Sequence, residues 1–124
     1  METLSIIIPA YNEEKTISLI LDKIRNVNLK NTNKQVIIVN DHSSDGTEKQ
    51  VLEYKQKHPS FPIHYLCHSR NQGKGAAIRT GIKQVEGDYV IIQDADLEYD
   101  PEDYNIILNK LSQSGEAVRK PTKS

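Results

Sequence analysis

Three almost uninterrupted apolar runs, at residues 4–8, 36–39 and 89–92, constrain this chain more than any other feature. They are rich in isoleucine and valine, and each is four or five residues long. Runs of that length and composition are strands buried on both faces, the habit of parallel sheets. A fourth run, Ile63 to Cys67, follows Phe61-Pro62 and reads as another strand. Pro9 ends the first strand. Between strands the pattern changes to helical spacing. Ile17, Ile20, Leu21, Ile24 and Val27 predict a helix over 13–27, with Asn12 as its N-cap and Glu13 and Glu14 in its first turn. Residues 28–34 are polar and rich in Asn, a loop. A second helix is predicted over 47–57, stopped by His58-Pro59, and a third over 76–85, ended by Gly87. Pro101 opens a fourth, reaching about residue 112.

The order is β-α-β-α-β-α-β-α. Such alternation predicts an α/β fold, a parallel sheet with helices on both faces and right-handed crossovers. Ligands of these sheets bind beyond the carboxyl ends of the strands. The polar turns after all four strands fall at that edge, so one shared site is expected there.

Bulk properties narrow the class. A chain of 124 residues suffices for one domain. Sixteen basic residues against seventeen acidic ones argue against a nucleic-acid binder. A single cysteine, Cys67, rules out an internal disulfide and suits a reducing compartment. No apolar run approaches the length of a spanning helix, and Met1-Glu2-Thr3 lacks the basic start of a signal peptide. The expectation is a cytoplasmic domain.

Each turn has a plain reading and a functional one. Tyr11, Asn12 and Glu13 offer a ring and a carboxylate for a base and a ribose, or simply a capped helix start. Asp41 follows the second strand, where an acid can accept from a ribose hydroxyl; an Asx-turn explains it equally well. The third turn carries Arg70, Asn71, Gly73, Lys74 and Gly75, with glycines for close backbone approach and cations for phosphate. It is not a P-loop, because His68 and Gly75 stand where Gly and Ser or Thr are required. Nor is it a dinucleotide fingerprint, which belongs after the first strand, where no glycine occurs. His42, His64 and His68 have no metal-ligand spacing with cysteine and read as turn or surface residues. Cys67 reads as a small buried apolar residue.

The fourth turn, residues 94–100, is acidic. Asp94 and Asp96 are two apart, so in extended backbone their carboxylates share a side. Two such ligands suit Mg²⁺ or Mn²⁺ when the ligand brings phosphate oxygens. A calcium loop is excluded, since Tyr99 and Asn105 occupy its Gly and Glu positions.

Together the stretches 5–14, 36–47, 71–75 and 87–101 resemble family 2 glycosyltransferases of the GT-A (Rossmann-like) fold. Gln93-Asp94-Ala95-Asp96-Leu97-Glu98 is most similar to the branch that glycosylates polyprenyl phosphates such as dolichol or undecaprenyl phosphate. The resemblance implies that Pro9, Tyr11, Glu13, Asp41, Lys74 and Asp94 bind the donor, a UDP- or GDP-sugar. It implies that Asp96, helped by Glu98, holds Mg²⁺ or Mn²⁺ on the diphosphate. The reaction implied is metal-dependent, inverting transfer to a polyprenyl phosphate, or alternatively to a polysaccharide or glycan. A fragment that binds nucleotide without turnover is a further alternative. Family members continue well past this length, so the expectation is a C-terminally truncated GT-A domain. Residues 1–112 would be the nucleotide-sugar-binding part and 113–124 a polar tail. The catalytic base would lie beyond the chain end. Self-association through the incomplete sheet edge is expected, as is peripheral attachment at the cytoplasmic membrane face.

Overall fold

The computed structural model describes residues 2–95 together with Pro101, Tyr104 and Asn105. Seven elements follow in order: β1 (Glu2–Ala10), α1 (Ile17–Asn26), β2 (Thr32–Asn40), α2 (Thr47–Lys57), β3 (Ile63–Cys67), α3 (Lys74–Ile82) and β4 (Tyr89–Ile92). All strand pairs are parallel, and the sheet order is β3-β2-β1-β4. The chain winds outward from β1 to β3, then returns to place β4 on the other side of β1. This reversal makes the crevice between β1 and β4 the switch point of the sheet.

Side-chain alternation along the central strands assigns the two faces. Leu4, Ile6 and Ile8 of β1, with Val36 and Ile38 of β2, meet Ile17, Ile20, Leu21 and Ile24 of α1 and Val51 and Tyr54 of α2. Ile7, Ile37 and Val39 point the other way, toward Ala77 of α3 and Val85. Both faces are therefore covered, as the apolar runs require. Ile6, Ile7 and Ile8 are fully buried, each contributing about 1.5–3 kcal/mol of gross apolar burial.

Four boundaries differ from the sequence expectation. Pro9 does not end β1; it pairs with Val39 inside the strand. Asp41 N–H donates to Ala10 O, so Ala10 bonds toward β2 and Pro9 turns its missing donor the other way. On that side the last β4 pair is Ile7 with Ile92, so no ladder bond is lost. Helix α1 begins four residues late. Asn12 is not its cap: Asn12 is left-handed (φ 53°), and the first turn of α1 holds no acid. Strand β2 starts at Thr32, inside the expected loop, because parallel pairing with Glu2 onward extends it. Helix α3 ends at Ile82, so Gly87 is no helix terminator. Its N–H donates to Ser5 Oγ, and a Cβ there would lie 2.5 Å from that oxygen. Close approach, not helix termination, fixes the glycine.

Among the described residues, no helix is long and apolar enough to cross a membrane. Tyr104 is buried and donates to Gln93 Oε1 at 2.6 Å, while Asn105 Nδ2 donates to Asn28 O. The rest of the expected fourth helix, the boundary at 112 and the tail 113–124 lie outside the described residues.

Candidate functional site

The four strand-end turns converge. The first two are latched together by hydrogen bonds. Asn12 N–H donates to Ser43 Oγ, Ser44 N–H to Asn12 Oδ1, Glu13 N–H to Thr47 Oγ1 and Glu14 N–H to Asp45 Oδ2. Asp45 is thus a turn residue, which also accepts from Thr47 N–H. The latch explains the left-handed Asn12: its short amide reaches a neighbouring turn rather than its own helix.

A cavity of about 400 Å³ opens beyond the carboxyl ends of β1, β2 and β4. Pro9, Tyr11, Glu13, Asp41, Lys74 and Asp94 all line it. Ala10, Asn71, Gly73, Ala77 and Ala95 complete the wall. Three of these five are alanines, which motif spacing cannot single out. Tyr11 is half exposed, a ring presented to solvent at the cavity. Arg70 is exposed and outside the lining. A wider groove of about 630 Å³ lies at the amino ends of β2 and β3. Its Lys34 is committed to the end of α1, donating to Ile24 O and Arg25 O, and no strand-end turn reaches it.

Asp41 is the most constrained polar group of the site. It is buried, and its carboxylate accepts from Gln72 N–H, Gly73 N–H and His68 Nδ1, each at 2.8 Å. Burial pushes its pKa up, but the His68, Gln72 and Gly73 hydrogen bonds outweigh that and hold it below the ordinary 3.8. Asp41 therefore builds the third turn as well as lining the cavity. Gly73 (φ 96°) caps α3 in a backbone conformation that favours glycine, and α3 points its N-terminus at the cavity. Lys74 begins α3 and reaches Asp94 Oδ1 at 2.5 Å.

Two side chains are placed otherwise than the sequence suggested. His68 is not a turn or surface residue; it is buried between Asp41 and Thr80 Oγ1. Cys67 is exposed rather than buried, because it ends the edge strand. Strand β4 stops at Ile92 and Ala95 is a turn residue, and the expected shared side of Asp94 and Asp96 falls beyond the described residues. Asp96 and Glu98 lie outside the described residues. Among those described, no group of three potential ligands assembles a metal cage. Asp94 is a partly buried carboxylate on the cavity wall, and Mg²⁺ is commonly held by one or two carboxylates together with substrate phosphates.

A half-wound parallel sheet with its cavity at the switch point, bounded by a glycine turn, a helix N-terminus and a carboxylate, defines an α/β domain of the GT-A kind. The chain belongs to glycosyl transferase family 2, whose family model matches residues 5–121. A dolichyl-phosphate beta-glucosyltransferase of Trichomonas vaginalis is 38% identical over 110 residues, covering 84% of this chain and 33% of that protein. The mannosyltransferase PcManGT from Pyrobaculum calidifontis, solved in complex with GDP-Man and Mn²⁺, superposes with TM-score 0.81 at 27% identity. That match covers 88% of this chain and 32% of the other. TarS residues 1–349 from S. aureus, in complex with UDP, gives TM-score 0.76 at 27% identity over 90% of this chain and 32% of that one. The chain thus spans about a third of the length of these proteins.

Proposed function

We propose that this chain is the donor-binding part of a metal-dependent, inverting glycosyltransferase that uses a UDP- or GDP-sugar and a polyprenyl phosphate acceptor. The donor-binding part is assigned to residues 1–112, with 113–124 as a tail. One observation supports it above all: residues from all four strand-end turns line a single cavity at the switch point. The dolichyl-phosphate name of one relative and the GDP-Man, Mn²⁺ and UDP of the structural neighbours support the substrate classes.

In this reading Pro9, Tyr11 and Asp41 hold the base, and Glu13 lies near the ribose. Lys74 and the N-terminus of α3 face diphosphate charge, and Asp94 lies between ribose and diphosphate. Asp96, with Glu98, would hold Mg²⁺ or Mn²⁺. A metal held there would supply positive charge against the leaving nucleotide diphosphate, the chemistry that would let sugar C1 depart with oxocarbenium character. The acceptor phosphate is already a competent nucleophile and attacks from the opposite face. Peripheral attachment at a membrane face follows from a lipid acceptor. A polysaccharide or glycan acceptor is the alternative. Self-association along the outer edge of β4, where Ile92 is exposed, belongs to the same proposal.

Calorimetry with GDP and UDP, with and without Mn²⁺, tests donor binding. Metal-dependent binding that is lost with a chelator and weakened by Asp96→Ala is expected. Binding indifferent to metal and to Asp96→Ala overturns the proposal. Transfer from a labelled nucleotide-sugar to a polyprenyl phosphate tests turnover separately. Sedimentation across a concentration series tests association; one unchanging monomer rejects it.

A further inference from the structure

A polar chain links Asp41 to two residues that have no role above. Asp41 Oδ1 faces His68 Nδ1, and His68 Nε2 faces Thr80 Oγ1, both at 2.8 Å. His68 follows β3, Asp41 follows β2, and Thr80 lies in α3. Neither His68 nor Thr80 lines the cavity. The order acid, imidazole, hydroxyl is that of nucleophile triads. Here the hydroxyl sits within a helix and away from the cavity, so a nucleophilic role is excluded.

We propose that His68 is a positioning residue that locks the Asp41 carboxylate, and through it the Gln72–Gly73 backbone, in the geometry that receives the donor nucleotide. This deepens the functional reading above and rests on it for the word donor.

The chemistry follows from the partners. An ionised Asp41 only accepts, so the His68 nitrogen facing it must carry the proton. In the neutral ring Nε2 is then an acceptor, and Thr80 Oγ1 is the donor that satisfies it. Asp41 thereby sets the tautomer, and Thr80 satisfies the far nitrogen and holds the ring plane. The His68 bond leaves Asp41 one rotamer, in which Oδ1 also takes Gln72 N–H and Oδ2 takes Gly73 N–H. Oδ1 has both acceptor sites used. Oδ2 has one left, on a carboxylate that lines the cavity. His68 and the Gln72 and Gly73 amides thus determine which oxygen remains for a ligand. Without His68, Asp41 can rotate, and Gly73, at positive φ, loses the acceptor that holds α3 in place.

Variants of the 124-residue chain separate the possibilities. His68→Asn keeps an N–H donor near the Nδ1 position; His68→Leu removes both contacts; Thr80→Val removes only the outer one. The readouts are ¹⁵N imidazole shifts, amide exchange at Gln72 and Gly73, and calorimetric affinity for GDP or UDP with Mn²⁺. Expected are an Nδ1–H tautomer in the native chain and protected amides at both positions. His68→Leu should lose that protection and about tenfold in nucleotide affinity, with His68→Asn restoring most of both. Thr80→Val should keep the Nδ1–H tautomer and lose less amide protection than His68→Leu. An Nε2–H tautomer, or His68→Leu with native amide protection, overturns the proposal. So does His68→Asn that melts like the native chain yet binds as weakly as His68→Leu. Should His68→Leu not fold, the asparagine and Thr80 variants decide alone. Should the native chain bind no nucleotide, the donor reading fails, while the tautomer and amide readouts still judge the lock.

Discussion

Lys74 Nζ lies 2.5 Å from Asp94 Oδ1, tying the first turn of α3 to the segment just beyond β4 across a cavity that both residues line. The side chains are 60% and 22% exposed, so solvent screens the pair and its stabilisation is within about 1 kcal/mol. Its importance is positional. Under the proposed function, a cation next to a carboxylate at a helix N-terminus trades partners when diphosphate and metal arrive. Lys74→Ala should therefore leave the melting temperature nearly unchanged and lower affinity for GDP or UDP by roughly tenfold, the loss of one charge-assisted contact. Thermal melts and calorimetry on one preparation check both halves. A large fall in melting temperature with intact affinity would reassign the pair to the fold.

Acid should unfold the site before the core. Asp41 and Asp45 are both held below 3.8. For each, burial is the largest influence and acts upward, but hydrogen bonds prevail: those from His68, Gln72 and Gly73 on Asp41, and those from Thr47 and Glu14 on Asp45. A depressed folded pKa gives stability that is complete above the unfolded value and is lost as pH falls through the folded one. The urea midpoint should thus drop as pH falls below about 4. Asp45→Asn should be less stable at neutral pH and show a shallower acid limb. An acid limb as steep as the native one removes Asp45 from this account.

Two glycines should respond to alanine with opposite signs. A Cβ at Gly87 would lie 2.5 Å from Ser5 Oγ and 2.6 Å from Thr3 O, both fixed by β1. Gly87→Ala should destabilise by about 1–3 kcal/mol, the usual cost of overpacking. At Gly75, inside α3, the nearest atom is the flexible end of Arg79 at 3.4 Å. Gly75→Ala should stabilise by up to about 1 kcal/mol through helix propensity. Urea titrations read both. Equal effects would mean that the Ser5 contact does not constrain the β4 entry.

The outcome for Asn12 shows where sequence reasoning stops. Short apolar runs fixed the sheet, because a strand with no polar face must be covered twice. They also fixed the site's location, since four polar turns share one edge. Six residues chosen from motif resemblance do line one cavity. What could not be seen was contact between turns. Asn12 looked like a cap because caps are local, yet its amide bonds Ser44, thirty-two residues away. His68 looked superficial because its two partners, Asp41 and Thr80, come from separate elements. Cys67 looked buried because edge position depends on strand order, which alternation alone leaves open. Pro9 looked terminal because which side of β1 loses a donor depends on where β4 stops.

Tyr54 gives a control far from the site. Its hydroxyl donates to Asp22 Oδ1 at 2.7 Å and accepts from Arg25 Nε at 2.9 Å, bridging α2 to α1. Burial, then the Asp22 hydrogen bond, pushes its pKa to about 12, with Arg25 pulling the other way. A phenol raised above its unfolded value of 10.0 contributes stability that is intact below that pH and is lost as pH climbs toward 12. Tyr54→Phe keeps the ring against Phe61 and His58 and removes only the hydroxyl. It should cost about 1 kcal/mol, since Asp22 and Arg25 are exposed enough to recover water. It should also flatten the alkaline loss of stability. Nucleotide affinity should not move, because α1 and α2 pack on the face of the sheet opposite α3. A Tyr54→Phe chain that binds GDP or UDP more weakly would show that the two faces are coupled through β1, and effects at Lys74 or His68 would then have to be judged against that coupling.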